Sequence, residues 1–268
     1  MQLQSQIIHT PIHFFNDRDG GRPLNRHEAH RHPIENQLSA PDNILVKRER
    51  FDVRVANTQG RKNQVGALIN RMYSWRGYRL EAAEARHCPT QTTLQAFRGK
   101  DTLGTLSLNI DSADGLLADD LYRKEIDILR KRGGTVCELT GLAVNTRDDS
   151  NELLATLFHL LHILGRRLHR ATDAVIEINP RHALYYQRLL GFRQIGEGKI
   201  CGRVNAPAVL LHIEADFVEE QIAHHAGYRK QTGRSLYSYF FSDRESERLC
   251  QRMLEMNHVL LAAQRTHS

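Results

Sequence analysis

The chain has 268 residues, of which 40% are hydrophobic, so it is long enough for one α/β domain with extensions and an ordinary buried core. Its 37 Lys and Arg residues exceed its 31 Asp and Glu residues, and the formal charge of +6 favours an acidic partner. The sequence has neither an apolar run of the roughly 18 residues that a membrane span needs nor the start of a secretory signal. We therefore expect a cytoplasmic protein without a transmembrane segment.

Three classes of site are not indicated by the sequence. The four cysteines show no C-x-x-C pair and no zinc or disulfide spacing, so we interpret them as reduced thiols. His159 and His162 are spaced to share a helix face, but no third ligand accompanies them, and we expect no metal. Basic residues cluster at 47–50, 130–132 and 166–170, and these clusters would suit nucleic acid or a merely solvated surface. Because no nucleic-acid-binding motif is present, we expect no nucleic-acid partner.

The first half of the sequence predicts an N-terminal arm followed by strands and a helix. Residues 1–50 are polar and rich in His, Pro and Gly, which predicts a flexible N-terminal arm. Alternation over 51–56 predicts a strand, and a helix is expected over 62–75. The segment 92–110 holds two apolar runs around Gly-Lys-Asp at 99–101, which predicts a hairpin.

The second half predicts two successive β-α units. A helix that stops at Gly133-Gly134 precedes them. The first unit is strand 135–144 with helix 152–170, and the second is strand 174–178 with helix 181–190. Strands near 192–195 and 208–213 follow, and then helices beyond Asp216, including 245–261. Polar turns at the carboxyl ends of such strands are where α/β proteins build ligand sites.

Glu138 is a carboxylate in the apolar strand 135–144. In regular alternation its side chain shares a face with Leu142 and Val144, whereas Gly141 and Ala143 face the other way. Partial burial would raise the pKa of Glu138 towards the range in which it can accept a proton near neutral pH. From the residues alone, a glutamate paired with an arginine explains the pattern equally well.

Three further features could bind a ligand, although each has a plain structural explanation. Gly141 allows close approach of a backbone or ligand and often marks a bulge. The turn 147–152 carries three carboxylates, which cap a helix and would also repel a pyrophosphate. Asn179, Arg181 and His182 lie in a strand-to-helix turn that could bind a carboxylate.

The aromatic pair Tyr185 and Tyr186 follows in the helix 181–190. The two residues are about 100° apart around the helix axis, so at most one of them points at a given site. Both could equally be ordinary core and surface aromatics.

Four short sequences, together with the order of elements, resemble the GNAT acyltransferase superfamily. They are ELTGLAV at 138–144, NPRH at 179–182, YYQRLLGF at 185–192 and NAPAVLLH at 205–212. Within that superfamily they most resemble the long-chain N-acyl amino acid synthases, which are related to the acyl-homoserine-lactone autoinducer synthases.

The resemblance implies an architecture of three regions. The arm 1–50 precedes a GNAT-like core, 51–217, with a mixed central sheet flanked by helices, and a helical C-terminal extension, 218–268, follows. The implied enzyme transfers a long-chain fatty acyl group from an acyl carrier protein to the α-amino group of an amino acid. The acyl-phosphopantetheine of the carrier is then the donor substrate, and no metal or other cofactor is implied.

The resemblance also implies roles for single residues. Glu138 is the general base, and Tyr185 or Tyr186 protonates the departing thiolate. The donor-binding residues are Gly141, Leu142, Ala143, Val144 and Arg147. The acceptor-binding residues are Arg71, Tyr73, Asn179, Arg181 and His182, with Arg71 as first choice for the substrate carboxylate and Arg98 as a further candidate.

Two departures from related families bear on the alternatives. Gly141 stands where autoinducer synthases have an arginine, which counts against a homoserine-lactone synthase using S-adenosylmethionine. The acidic turn 147–152 stands where acetyltransferases have a glycine-rich turn for coenzyme A, which favours a carrier protein as donor. An acetyl-coenzyme A N-acetyltransferase is the nearest alternative, and an acyl-carrier-binding module without turnover is the alternative of a different class.

Overall fold

The computed structural model describes residues 44–75, 90–146, 150–227 and 235–265. Within these ranges the chain forms a mixed sheet with helices on both faces, which confirms the predicted α/β class. The strands are β1 (Ile44–Lys47), β2 (Asp52–Val55), β3 (Thr92–Arg98), β4 (Asp101–Ile110), β5 (Val136–Val144), β6 (Asp173–Ile178), β7 (Arg193–Gln194), β8 (Lys199–Cys201) and β9 (Ala206–Glu214).

The helices account for most of the remaining described residues. They are α1 (Gln59–Trp75), α2 (Asp119–Lys131), α3 (Ser150–Ile163), α4 (Pro180–Leu190), α5 (Ala215–His225) and α6 (Asp243–Arg265), with a π-helical turn at Leu164–Leu168 and a 3₁₀ turn at Leu236–Tyr239. None of these helices is both long enough and apolar enough to cross a membrane.

The strand order across the sheet is β1-β2-β3-β4-β5-β6-β9-β7, and β8 pairs with β9 outside this path. Strands β5 and β6 are parallel and are connected through α3, because parallel neighbours need a crossover. The other paired strands are antiparallel.

Strand β1 lies inside the predicted arm, 1–50, and the sequence pattern did not indicate it. Its apolar run is short and stands in a polar segment, but Leu45 and Val46 are buried in the core and β1 pairs with β2. Residues 1–43 of the predicted arm lie outside the described ranges.

Hydrophobic residues form a large core on one face of the sheet and two smaller clusters elsewhere. The large core packs residues of α3, α4, α5 and α6 against the sheet. One small cluster places Tyr122 and Ile126 of α2 against Val136 and Val175. Cys137 and Leu139 belong to the large core, so the two sets occupy opposite faces of β5, as alternation along a strand requires.

The predicted bulge at Gly141 is present in β5. Gly141 has a φ of +63°, which only glycine adopts without strain. Thr140 is opposite Ser107 and Ala143 is opposite Thr105, so β5 carries one residue more than β4 across this interval.

The bulge makes the predicted side-chain alternation wrong beyond Thr140. Leu142 and Val144 were expected on the face of Glu138, but both contact the large core on the opposite face. Ala143 instead packs against Leu68 and Met72 of α1. The extra residue shifts the alternation by one position, because the side-chain period of a strand is two.

Candidate active site

Strands β5 and β6 diverge where the predicted site residues begin. Their pairing runs from Val136 with Asp173 to Leu139 with Ile176. Beyond this point β5 continues to Val144 without a paired neighbour on its β6 side in the described structure. Backbone N–H and C=O groups along this edge can therefore bind an extended ligand.

The divergence brings together most of the predicted donor-binding residues. These are Gly141, Leu142, Ala143 and Val144, which lie on the stretch of β5 that has no partner on its β6 side in the described structure. Arg147, also predicted to bind the donor, lies outside the described residues.

Glu138 lies one residue before the end of this pairing and is only 1% exposed. Its carboxylate accepts hydrogen bonds from the backbone N–H groups of Leu117, at 2.8 Å, and Ala118, at 3.1 Å, in the turn before α2. Burial raises the pKa of Glu138 to about 7, and the nearby Glu177 adds to this, whereas the two N–H donors and Arg203 act in the opposite direction. The carboxyl group can therefore exchange a proton near neutral pH.

Glu177 and Arg203 were missed in the sequence. Val175 is in register with Glu138, so Glu177, two residues further along β6, lies on the same sheet face as Glu138. Arg203 donates to Oε2 of Glu177 at 2.8 Å and to the carbonyl oxygen of Leu117 at 2.8 Å. It thus ties the turn that binds Glu138 to strand β6.

A signal for Glu177 was present in the sequence. Like Glu138, it follows apolar residues in a predicted strand of a β-α unit. Arg203 had no comparable signal, because it comes from the turn between β8 and β9, and β8 was not predicted.

Asn109 extends the polar surface around Glu138. The two residues are in register on β4 and β5, and Asn109 is 1% exposed. Its Nδ2 donates to the hydroxyl of Thr140 at 3.2 Å, while its Oδ1 is buried and has no hydrogen-bond partner in the described structure. A buried acceptor without a partner is suited to an incoming N–H donor.

The two predicted tyrosines have different surroundings. Tyr186 is buried, with its ring edge-on to those of Phe158 and Phe192, each at 6.3 Å between centroids. The hydroxyl of Tyr185 is buried without a hydrogen-bond partner among the described residues, and burial raises the pKa of Tyr185 to about 12. Tyr185 therefore keeps its proton at neutral pH and has it available to a ligand.

The strand-to-helix turn after β6 has a structural role. Asn179 caps α4, because its side chain accepts a hydrogen bond from the backbone N–H of Arg181 at 3.1 Å. The exposed Arg181 donates from Nε to Nε2 of His182 at 3.1 Å.

The other predicted acceptor-side residues lie on α1 and β3. Arg71 and Arg98 are exposed, and Tyr73 is half-buried against the cluster of Leu68, Met72 and Ala143. Arg203, which was not predicted from the sequence, is the arginine that lowers the pKa of Glu138 in this structure.

An apolar pocket lies on the face of the sheet opposite Glu138. It encloses about 550 Å³ of space not filled by protein atoms, part of which is open to solvent. Its lining includes Cys137 and Leu139 of β5, Phe158 and Leu161 of α3, Leu190 and Phe192, Val218 of α5, and Tyr237 and Phe240.

The histidines of α3 belong to the core packing. Burial lowers the pKa of His159 well below its ordinary value, and its Nδ1 accepts the backbone N–H of Phe241 at 2.9 Å. In the described residues, no three His, Cys, Asp or Glu side chains are grouped so that they could hold a metal ion.

Comparison with known proteins identifies the family. The model of the N-acyl amino acid synthase FeeM family matches residues 64–214, which is more than half of the chain. The structure of FeeM, an N-acyl amino acid synthase from uncultured soil microbes, is 27% identical, with a TM-score of 0.59 over 64% of this chain and 95% of that chain. No curated protein matches the chain.

Two more distant structures are also similar. An acyl-CoA N-acyltransferase from Pseudomonas aeruginosa is 14% identical over 60% of this chain and 97% of that chain, with a TM-score of 0.43. The AHL synthase LasI is 11% identical over 62% of this chain and 90% of that chain, with a TM-score of 0.45. The family match and the FeeM structure confirm the predicted relationship: this chain belongs to the N-acyl amino acid synthase FeeM family.

Proposed function

We propose that the protein transfers a long-chain fatty acyl group from an acyl carrier protein to the α-amino group of an amino acid. The observation that carries this proposal is Glu138, a buried carboxyl group with a pKa of about 7 beside the divergence of β5 and β6. The membership of the FeeM family supports the product class, an N-acyl amino acid.

The acceptor side of the reaction begins with a proton transfer. Each carboxylate oxygen of Glu138 receives one backbone N–H and retains a lone pair, so the group can take a proton from the substrate ammonium directly or through a water. Asn109 Oδ1 can accept a second N–H of the same ammonium. The neutral amine is then the nucleophile.

The donor side requires a place for the thioester and a proton for the leaving group. The amine attacks the thioester carbonyl, the C–N bond forms, and the C–S bond breaks. Backbone amides between Leu142 and Val144 that point away from β4, along the edge of β5 beyond its pairing with β6, can stabilise the oxyanion. Tyr185, whose hydroxyl has no partner among the described residues, can protonate the thiolate and regain a proton from the amide nitrogen.

The carboxylate of the amino acid needs a cationic partner, and a bidentate arginine is the usual solution. Arg71 remains our first choice, with Arg181 and Arg98 behind it. All three side chains are exposed, so a substrate entering from solvent can reach each of them.

The carrier protein is proposed as donor because of charge. The turn 147–152 carries three carboxylates, which would repel the pyrophosphate of coenzyme A, whereas a carrier brings a single phosphodiester. The net charge of +6 and exposed cations such as Lys47 and Lys131 suit an acidic partner. Arg130 does not contribute to this surface, since it forms internal ion pairs with Asp111, Asp119 and Asp127.

The test is a direct comparison of donors with the purified protein. Matching acyl chains on an acyl carrier protein and on coenzyme A are each incubated with a mixture of amino acids, and mass spectrometry identifies any N-acyl amino acid. We expect product chiefly with the carrier and loss of product with Glu138→Gln. Acetylation with acetyl-coenzyme A alone would support the acetyltransferase alternative, and carrier binding without product would support a module without turnover.

A further inference from the structure

The backbone that binds Glu138 is a short turn set off from the body of α2. Leu117 and Ala118, whose N–H groups bind the carboxylate, begin this turn, and Asp120 donates its N–H to the carbonyl oxygen of Leu117 at 3.3 Å. Tyr122 then leaves the helical region, with a φ of −125° and a ψ of 27°, so α2 bends there. The regular helix therefore does not by itself fix the direction of the two N–H groups.

Arg203 holds this turn from outside. Its Nη1 donates to the carbonyl oxygen of Leu117 at 2.8 Å and to Oδ2 of Asp120 at 2.9 Å. Its Nη2 donates to Oε2 of Glu177 on β6 at 2.8 Å. One planar guanidinium group thus connects the turn that binds Glu138 with the strand that pairs beside it.

The same guanidinium group also changes the charge around Glu138. Burial is the largest cause of the raised pKa of Glu138, the charge of Glu177 adds to it, and Arg203 opposes it. The Glu177 side chain is only 9% exposed, so solvent screens its charge little. Arg203 therefore offsets an anion that would otherwise make ionisation of Glu138 harder.

Other charged groups on the surrounding elements have partners of their own or are screened. Asp119, beside the turn, is ion-paired with Arg130 at 2.7 Å. Asp173 of β6 is hydrogen-bonded to His212 of β9 at 2.7 Å. The Asp120 side chain is 43% exposed, so solvent weakens the effect of its charge on its neighbours.

Two further titratable groups nearby keep their protons at neutral pH. Burial raises the pKa of Tyr122 in α2 to about 12, and it also raises the pKa of the Cys201 thiol in β8. In the described structure, Glu177 and Arg203 are therefore the charged side chains whose removal should most change the ionisation of Glu138.

We propose that Arg203 is a positioning residue for the proposed base: it holds the turn on Glu138, offsets the charge of Glu177, and so keeps Glu138 able to ionise at neutral pH. The inference rests on the proposed function for the role of Glu138 as base. Its own content is that a residue of the turn between β8 and β9 sets the pH at which that base is available.

Arg203→Met removes both the charge and the hydrogen bonds to the turn. Both losses disfavour the carboxylate, because Glu177 is no longer offset and the two N–H donors are held less firmly. The midpoint of the pH profile of kcat/KM should therefore move to higher pH. Below the native midpoint kcat/KM should fall by roughly 10-fold, and most of this loss should be recovered at alkaline pH.

Lys199→Met is the matched control. Lys199 lies on β8, donates to the carbonyl oxygen of Leu121 at 2.6 Å and is ion-paired with Glu125 at 3.4 Å. Its replacement also removes one positive charge and one connection to α2, but leaves the carbonyl oxygen of Leu117 bound to Arg203. The control should keep the native midpoint, and an equal shift in both variants would contradict the proposal.

Glu177→Gln tests the electrostatic part in the opposite direction. It keeps the size of the side chain and removes the anion, so the midpoint should move to lower pH. Arg203→Lys keeps the charge but loses the planar fork, and its midpoint should lie between those of the native protein and Arg203→Met. These two variants also keep the test decisive if Arg203→Met does not fold.

A measurement without turnover separates this inference from the proposed function. In protein with ¹³C-labelled glutamate, the carboxyl resonance missing from Glu138→Gln identifies Glu138, and its titration is followed by NMR in each variant. A titration that moves to higher pH in Arg203→Met, in the absence of any N-acyl amino acid product from the native protein, would refute the proposed function and support the inference. Product from the native protein, with a rate in Arg203→Met that falls equally at every pH and an unmoved titration, would refute the inference and leave the function standing.

Discussion

Replacing Glu138 by Gln removes the proposed base while keeping the size of the side chain. The native carboxyl group has a pKa of about 7, so kcat/KM should rise with pH through that value and then level off. The variant cannot accept the proton, and its turnover should fall by roughly 10²-fold or more at every pH.

The same substitution has a calculable effect on stability. Burial raises the pKa of Glu138 from its ordinary 4.5 to about 7 in the folded protein. The folded state therefore holds this proton more tightly than the unfolded state does. The resulting stability is fully present below pH 4.5 and is lost as the pH rises through 7, a change of roughly 3 kcal/mol.

The amide of the Glu138→Gln variant does not titrate, so the variant should lack this pH-dependent loss. Its single amide oxygen can serve only one of the two N–H donors of Leu117 and Ala118 well, which costs about 1–3 kcal/mol at all pH values. The difference in unfolding free energy between variant and native protein should therefore move in favour of the variant by roughly 3 kcal/mol across the window.

The two effects are measured separately. Initial rates across pH give the kinetic pKa, and urea unfolding of both proteins below pH 4.5 and above pH 7 gives the stability difference. A variant with near-native rates would remove Glu138 from the mechanism. A stability difference that is independent of pH would show that the carboxyl group is not perturbed by burial.

Three further outcomes are expected. Tyr185→Phe should lower kcat by up to roughly 10²-fold, and it should stabilise the fold by up to about 3 kcal/mol because it removes a buried hydroxyl without a described partner. Tyr186→Phe should change kcat little, and equal effects of the two variants would refute the assignment of Tyr185 as the proton donor. Carrier-bound donor should exceed the matching coenzyme A ester in kcat/KM by roughly 10-fold or more at low salt, a preference that salt should weaken; equal use at low salt would contradict it. Arg71→Lys should raise KM for the amino acid and leave KM for the donor unchanged, whereas an unchanged KM for the amino acid would direct attention to Arg181 and Arg98.

The β-α units were predictable because their signals are local. Strand 135–144 and helix 181–190 were expected within one residue of β5 and α4, since apolar runs, Pro180 and Gly191 mark their limits. The long helix expected over 152–170 was less accurate. It changes to a π-helical turn at Leu164, a change in hydrogen bonding that side-chain periodicity does not reveal.

The candidate site was only partly predictable for a related reason. Glu138 stands out as a carboxylate in an apolar strand, but its partners come from segments distant in sequence. The N–H donors belong to Leu117 and Ala118, and Arg203 belongs to a turn whose neighbouring strand was too short to detect. Such contacts depend on strand order and register, which are properties of the whole sheet.

Strand β5 explains how one element could serve both substrates. Alternation directs Glu138 to the face with Asn109 and Glu177, while Leu139 faces the apolar pocket on the other side. Strand β5 thus presents a polar face with Glu138 and an apolar face with Leu139 directly before the point where β5 and β6 separate. The bulge at Gly141 directs Leu142 to the core, and beyond Leu139 the edge of β5 that faces β6 has no paired strand among the described residues.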